Sequence, residues 1–166
     1  MKSKVLLTVI FLALSLQVFG QDAWENWDRR YPAKSYKELI NTEKCYADSV
    51  EKDKEIPQYY ARSDRYRITA KFTGKSRPVD SLVFDSMKRV FKLFFGNTYQ
   101  LDGMIKTEYL FEVDGFEVWM PIQAQLEEPL NEEIEPGTEI VLYCLFLNEH
   151  TSNGKLFNTL LISEFR

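Results

Sequence analysis

The amino-acid sequence predicts a single α+β domain whose sheet is mainly antiparallel. Two observations carry most of this prediction: the run Thr138 to Leu147, which is apolar from Ile140 onwards, and an Asp114-Gly115 pair between two strand-like segments. A strand that is apolar on both faces needs cover on both sides, so we expect residues 138–147 to form a central strand. Two amphipathic patterns earlier in the chain supply the helices.

The N-terminal residues have the pattern of a secretory signal peptide. Lys2 and Lys4 precede an apolar run from Val5 to Leu16, whose roughly dozen residues fall short of the roughly 20 in a spanning helix. A small residue, Gly20, favours cleavage before Gln21. We therefore expect residues 1–20 to be removed and residues 21–166 to form one exported domain, periplasmic or secreted, without a membrane span. The alternative is an uncleaved N-terminal anchor.

The composition argues against a polyanionic partner. Removing residues 1–20 takes away two lysines and no acidic residue, which changes the net charge from −4 to −6. Nucleic-acid binding needs a basic surface, and the chain has no stripe of lysine and arginine with interleaved aromatics. A remainder of 146 residues (166 minus 20) is long enough to fold around one hydrophobic core without covalent staples.

Two helices are predicted in the first half of the chain. The first starts at Ser35, where Glu38 completes a capping box, and extends to about Asp53. The second is capped by Asp80 and stopped by Gly96. Its wide apolar face could bind a membrane surface or a partner, but the strands need cover, so we expect it to pack on the sheet. That face consists of Val83, Phe84, Met87, Val90, Phe91, Phe94 and Phe95.

The remaining segments complete a β-rich core over residues 66–166. Strands are predicted at 66–73, 108–113, 116–122, 138–147 and 155–165, with a short uncertain strand near 99–105. Connectors or loops are predicted at 59–64, 74–78, 126–137 and 148–154, the third of them acidic with one helical turn near 131–134. Trp24, Trp27 and Tyr31 either form an aromatic lip for a sugar or, as we prefer, pack the N-terminal segment onto the domain.

The two cysteines leave the disulfide question open. Cys144 lies in the buried strand, whereas Cys45 falls on the polar face of the first helix, a geometry that disfavours a bridge between them. Unpaired thiols are the preferred interpretation. An exposed Cys45 also makes a disulfide-linked dimer possible.

The Asp114-Gly115 turn sets the register of a hairpin and defines the candidate ligand-binding residues. One face pairs apolar residues and is expected to point to the core. The other face pairs Leu110 with Trp119 and Glu112 with Glu117. An exposed Leu110 and Trp119 patch would normally be covered by another element or a ligand, so these four residues are the predicted site.

Catalytic and metal chemistry find little support in the sequence. The single histidine, His150, lies in a predicted loop and is expected to be solvated, and no nucleophile elbow or zinc-ligand spacing is present. We expect no cofactor and no metal. Facing carboxylates at Glu112 and Glu117 leave one enzymatic alternative, a glycan-acting enzyme that uses them as an acid–base pair.

The second half of the chain resembles the later strands of a small OB-like barrel over about 60 residues. The resemblance rests on Trp119 and Pro121 in the hairpin, Pro136-Gly137 leading into the central strand, and a closing strand that ends at Phe165. The helix that starts at Asp80 departs from it, since OB barrels place their helix between the third and fourth strands. The alternative fold is a helix on a curved sheet, of the NTF2 or cystatin type.

These observations together predict a small exported protein that is not an enzyme and that binds or assembles with an unknown protein or glycan partner. The glycan-acting enzyme is the alternative.

Overall fold

A computed structural model describes residues 24–51, 59–151 and 156–166 of the protein. The predicted signal peptide and its cleavage point lie outside these ranges. The helices are α1 (24–30), α2 (Tyr36–Glu51), α3 (Ser81–Phe95), α4 (Tyr99–Met104) and α5 (Glu127–Glu133), with a 3-10 turn at Ala124–Leu126. The strands are β1 (Tyr59–Pro78), β2 (Ile105–Val113), β3 (Phe116–Gln123), β4 (Glu139–Thr151) and β5 (Leu156–Phe165). No helix in this part of the chain is both long and apolar enough to cross a membrane.

The five strands form one mixed, mostly antiparallel sheet, so the predicted α+β class is confirmed. Their order is β1-β2-β3-β5-β4, and β4 pairs back onto β1, which closes the sheet on itself. Among the described strands, β3 and β5 pair in parallel, at Ile122 and Ile162. β4 has β1 on one side and β5 on the other, as the apolar run predicts for a central strand.

The β2–β3 hairpin has the predicted register. Phe111 faces Val118, Leu110 faces Trp119 and Glu112 faces Glu117. The turn residues Asp114 and Gly115 have φ angles of 49° and 83°, and a two-residue turn with positive φ at both positions matches the twist of the flanking strands. The local turn sequence is therefore sufficient to align the whole hairpin.

β1 is much longer than the predicted strand 66–73. Residues 59–64 were expected to be a connector, but they pair with residues 146–151 of β4. Residues 74–78 were expected to be a loop, but they continue the strand after a register shift between Phe72 and Ser76, where Gly74 has a φ of 76°. Both predictions were wrong because backbone pairing with long neighbours, rather than side-chain alternation, defines these ends of the strand.

Two further segments differ from the predictions. Residues 99–104 form α4 rather than a strand, and residues 127–133 form α5 rather than a loop with one turn. Each of these helices has a buried leucine, Leu101 in α4 and Leu130 in α5. A single apolar anchor stabilises a short helix through tertiary packing, which a periodicity argument does not detect. β4 also continues to Thr151, through residues predicted as a loop.

The inside of the sheet is filled by one hydrophobic cluster. β4 contributes Ile140, Leu142, Cys144 and Phe146, and α2 and α5 add Leu39 and Leu130. A second, smaller cluster lies outside the sheet and contains Met87, Val90, Leu101, Ile105, Leu147 and Leu161. The preferred core role of the second predicted helix is thus confirmed for its central residues, since Met87 and Val90 of α3 belong to this cluster.

The aromatic residues of α1, together with Tyr31 directly after it, pack on the outer face of β4. The rings of Trp24, Trp27 and Tyr31 lie 5.6, 5.4 and 5.7 Å from the ring of Tyr143, which is fully buried. The Tyr143 hydroxyl donates to Asp28 of α1 at 2.7 Å. Burial and this hydrogen bond raise the pKa of Tyr143 to about 12. The prediction that these aromatics pack the N-terminal segment onto the domain is confirmed.

The start of α2 is held by the hairpin turn. Ser35 Oγ accepts from the Glu38 N–H at 3.3 Å, and Asp114 accepts from the Lys37 N–H at 3.0 Å and from Ser35 Oγ at 2.9 Å. The hydrogen bonds from Lys37 and Ser35 hold the pKa of Asp114 below its usual value. A side chain distant in sequence therefore completes the N-terminal cap of α2 and ties that helix to the barrel.

Removing the Asp114 carboxylate should destabilise the protein in a pH-dependent way. Because folding lowers this pKa, the stabilisation is present above the unfolded value of about 3.9 and is lost as the pH falls through the folded value. Asp114→Asn keeps an acceptor and tolerates positive φ, so it should differ from wild type at pH 6 and converge with it at a pH below the folded value. Asp114→Ala should cost about 0.5–2 kcal/mol at pH 6.

Urea unfolding at both pH values measures these differences. Glu117→Gln removes a carboxylate from the same hairpin without touching α2 and controls for net charge. A gap between wild type and Asp114→Asn that stays constant with pH would show that the cap does not depend on ionisation.

Candidate functional site

The four residues predicted as the ligand site lie together on the outer face of the hairpin, but only Glu112 and Glu117 of the four are exposed, and Trp119 is half-buried. Leu110 is only 3% exposed, so the expected exposed Leu110 and Trp119 patch is wrong. Trp119 faces it across the hairpin, and Thr73 of β1 donates to the Leu110 carbonyl at 2.7 Å. β1, which is longer than the predicted strand 66–73, runs alongside these residues.

Charged residues of β1 also occupy this face. The Arg77 guanidinium lies 4.1 Å from the Trp119 ring centroid and pairs with the buried Glu108 at 2.5 Å. Lys71 Nζ contacts Glu112 at 3.1 Å. The aromatic ring and one of the two facing carboxylates therefore already have partners within the protein, and Glu117 is left exposed beside them.

The predicted exposure of the histidine is wrong, whereas the predicted exposures of the two cysteines agree with the structure. His150 is only 1% exposed in β4, so the expected solvated loop histidine is wrong, because β4 extends through the predicted loop. Cys45 is exposed and Cys144 buried, and neither forms a disulfide. Burial raises the pKa of the Cys144 thiol, which makes it unreactive. A dimer linked through Cys45 stays a prediction.

A groove with a different composition lies between α1 and α3. Its volume is about 360 Å³, and we call it the Leu145 groove, after the half-buried leucine of β4 that lines it. The other lining residues are Arg30 of α1, Ser63, Asp64 and Arg65 of β1, and Phe94 and Phe95 of α3.

The groove exists because the outer face of β4 is covered only in part. Along this face α1 covers Tyr143, and α3 packs over Leu147 in the outer cluster. Leu145 lies between these two positions and remains half-buried, with Arg65 directly opposite it on β1. The apolar run that predicts cover on both faces of β4 is therefore left partly open at Leu145, and Val141 on the same face is also half-buried.

The α3 wall of the groove is anchored by an ion pair. Arg89 Nε and Nη2 donate to the two carboxylate oxygens of Glu149 in β4 at 2.6 and 2.7 Å. Burial alone would raise the pKa of Glu149, but hydrogen bonds from Arg89 and Ser86 more than offset it and hold the pKa below its usual value. Tyr59 donates to the same carboxylate at 3.1 Å, and burial together with Glu149 raises the pKa of Tyr59 to about 12.

The apolar wall residues are unusually exposed for phenylalanines. Phe94 and Phe95 are 47% and 44% exposed, at the C-terminal end of α3 where Gly96 stops the helix. The Phe95 ring packs on Phe91 at 4.5 Å, which holds it in place. The prediction that both residues pack in the core is wrong, since the helix projects past its contacts with β4.

Sequence reasoning missed the Leu145 groove. One signal was available: Leu93, Phe94 and Phe95 are consecutive, and three successive helical residues cannot all face one sheet. Arg30 and Arg65 gave no signal, because the sequence does not show which arginines find carboxylate partners.

Comparisons with known proteins give no further guide. A scan against protein families found no match, and a search of the curated proteins found no relative. Within the described ranges no group of three or more histidine, cysteine, aspartate or glutamate side chains is placed to hold a metal ion.

Breaking the ion pair that anchors α3 should destabilise the fold strongly. Arg89→Ala leaves Glu149 buried without its cation and should cost about 3–5 kcal/mol in the free energy of unfolding. Combining Arg89→Ala with Glu149→Gln should recover a large part of that loss, since no charge is then buried. Chemical unfolding of both variants measures this, with Lys92→Ala on the exposed side of the same helix as the control. Equal losses in the single and double variants would rule out an uncompensated charge as the cause.

Proposed function

We propose that this protein is a small exported binding module, without catalytic activity, that captures a partner through the Leu145 groove. The observation that carries the proposal is the partial cover of β4. An exposed apolar wall beside a half-buried leucine marks a surface that gains free energy when another molecule covers it. Export to the periplasm or the exterior is supported by the N-terminal sequence pattern.

An OB-like barrel is the fold that best accommodates the strand order. The closed order with a parallel β3–β5 contact, and a helical segment at residues 124–133 between β3 and β4, both support it. An OB barrel has a helix between its third and fourth strands, and the sequence alone predicted only a loop with one helical turn there. A closed sheet is harder to reconcile with the curved, open sheet of NTF2 or cystatin folds. OB-like folds serve as binding modules in many settings, so the likeness agrees with the proposed role without naming a ligand.

The hairpin face is the weaker candidate for a ligand or a reaction. Arg77 takes up one face of the Trp119 ring, which a sugar would need for stacking. A glycan-acting enzyme would need Glu112 and Glu117 to act as an acid–base pair across a bound sugar. Glu112 instead contacts Lys71, so the geometry favours a structural role for this carboxylate.

Ligand screening by thermal unfolding tests the proposal. The purified protein should be melted with soluble sugars, cell-wall glycans, divalent cations and peptides of differing charge. A ligand at about 100 times its dissociation constant stabilises by about 2.7 kcal/mol, which should raise Tm by about 5 °C or more in a chain of this size. The shift should disappear in Arg65→Glu and persist in Lys75→Glu, which makes the same charge change outside the groove.

A shift that is lost only in Glu112→Gln or Glu117→Gln would move the site to the hairpin and contradict the assignment to the groove. No shift with any compound would count against a binding module for these ligand classes.

A further inference from the structure

We propose that the Leu145 groove binds an extended acidic segment of a partner protein, in which carboxylate side chains flank an apolar one. This inference rests on the proposed function and adds the chemistry of the partner. Two features of the groove carry it: guanidinium groups without carboxylate partners, and exposed phenyl rings beside them.

The guanidinium groups of the groove differ from most others in the protein. Elsewhere, the described arginines that contact a carboxylate within 3.3 Å are Arg62, Arg67, Arg77, Arg89 and Arg166. In the described part of the chain neither Arg30 nor Arg65 forms such an ion pair. Arg30 lies over the Trp27 ring at 5.8 Å, and Arg29, also outside the ion pairs, donates to Asn26. A chain of net charge −4 has thus left two cations at one groove unpaired within the described ranges, and the lining carboxylate, Asp64, already contacts Arg62 at 2.6 Å.

A carboxylate is the group that these arginines fit best. A guanidinium group presents a planar fork of donors that binds a carboxylate through two parallel hydrogen bonds. A phosphate would bind similarly, but the negative charge of the whole protein repels a polyanion. A short segment with one or two carboxylates can pair with the arginines, and it carries too few negative charges to be strongly repelled by an acidic protein.

The apolar part of the groove would accommodate an apolar side chain of the partner that lies between the partner's carboxylates. Phe94 and Phe95 form one wall, and Leu145 and its register partner on β1, Arg65, line the same groove. A volume of about 360 Å³ holds one or two side chains, and a concave surface suits an extended peptide better than the flat surface of a membrane. The alternation of acidic and apolar side chains in an extended peptide matches the side-by-side placement of Arg65 and the phenyl rings.

Fluorescence anisotropy with a labelled peptide of alternating glutamate and phenylalanine tests the inference. The purified protein should bind this peptide, whereas peptides with lysine in place of glutamate, or serine in place of phenylalanine, should bind at least about tenfold more weakly. Binding should also weaken as salt is raised, because charged contacts are screened.

Variants of the groove locate the binding site. Arg65→Glu and Phe94→Ser should each weaken binding at least about tenfold. Lys75→Glu and Phe116→Ser are the matched controls and should leave it unchanged, since Lys75 is exposed in β1 and Phe116 is 48% exposed at the hairpin, close to the 47% of Phe94. Circular dichroism establishes that each variant is folded, and Arg30→Glu on α1 replaces Arg65→Glu if that variant is not.

The outcomes separate this inference from the proposed function. Equal binding by the groove variants, or by the serine peptide, would overturn the inference even though the protein binds peptides. A Tm shift with a sugar or cation and no peptide binding would overturn the inference and leave a binding module in place. Sedimentation with phosphatidylglycerol vesicles that is lost in Phe94→Ser, without peptide binding, would reassign the groove to a lipid surface.

Discussion

Much of the structure depends on covering both faces of β4. The inner face is covered by the barrel core and the outer face by two elements that are distant in sequence, α1 over Tyr143 and α3 over Leu147. Burying an apolar side chain stabilises a protein by about 1.5–3 kcal/mol, so a strand that is apolar throughout makes such cover strongly favourable. The position of Leu145 between the two covering elements then explains the groove without further assumptions.

Buried charged pairs help to determine how several elements pack together, including α3 on β4. The buried glutamates Glu43, Glu108 and Glu149 each contact an arginine, at 2.7, 2.5 and 2.6 Å. These pairs join α2 to β1, β2 to β1, and β4 to α3. Replacing a buried ion pair with apolar residues often costs no stability. The effect of these pairs is therefore better described as specifying how the elements are placed against one another. A misplaced helix would leave a buried carboxylate without its cation, which costs several kcal/mol.

The sequence was informative where local chemistry decides the structure. The Asp114-Gly115 turn gave the hairpin register, the caps at Ser35 and Asp80 gave the helix starts, and the apolar run gave the central strand. The sequence was uninformative where contacts between residues distant in the chain determine the structure. Long strands that pair at their ends account for the ends of β1 and for the burial of His150 and Leu110. The ends of these strands carry polar side chains, so the sequence pattern does not reveal that they pair.

For the candidate sites too, local sequence predicted some features, whereas contacts distant in the chain determined the others. The sequence grouped Leu110, Glu112, Glu117 and Trp119 correctly, because a two-residue turn fixes which residues face each other. It could not show that β1 provides Arg77 and Lys71 as partners to that face. It also could not show the Leu145 groove, whose lining residues come from four elements far apart in the chain.

The most direct test of the account compares two leucines on the outer face of β4. Leu147 is fully covered by the α3 cluster, so Leu147→Ala should lower the free energy of unfolding by about 2–5 kcal/mol. Leu145 lines the groove and is half-buried, so Leu145→Ala should cost less than about half as much. Equal losses in urea unfolding would mean that Leu145 is covered in the folded protein and that the groove does not exist.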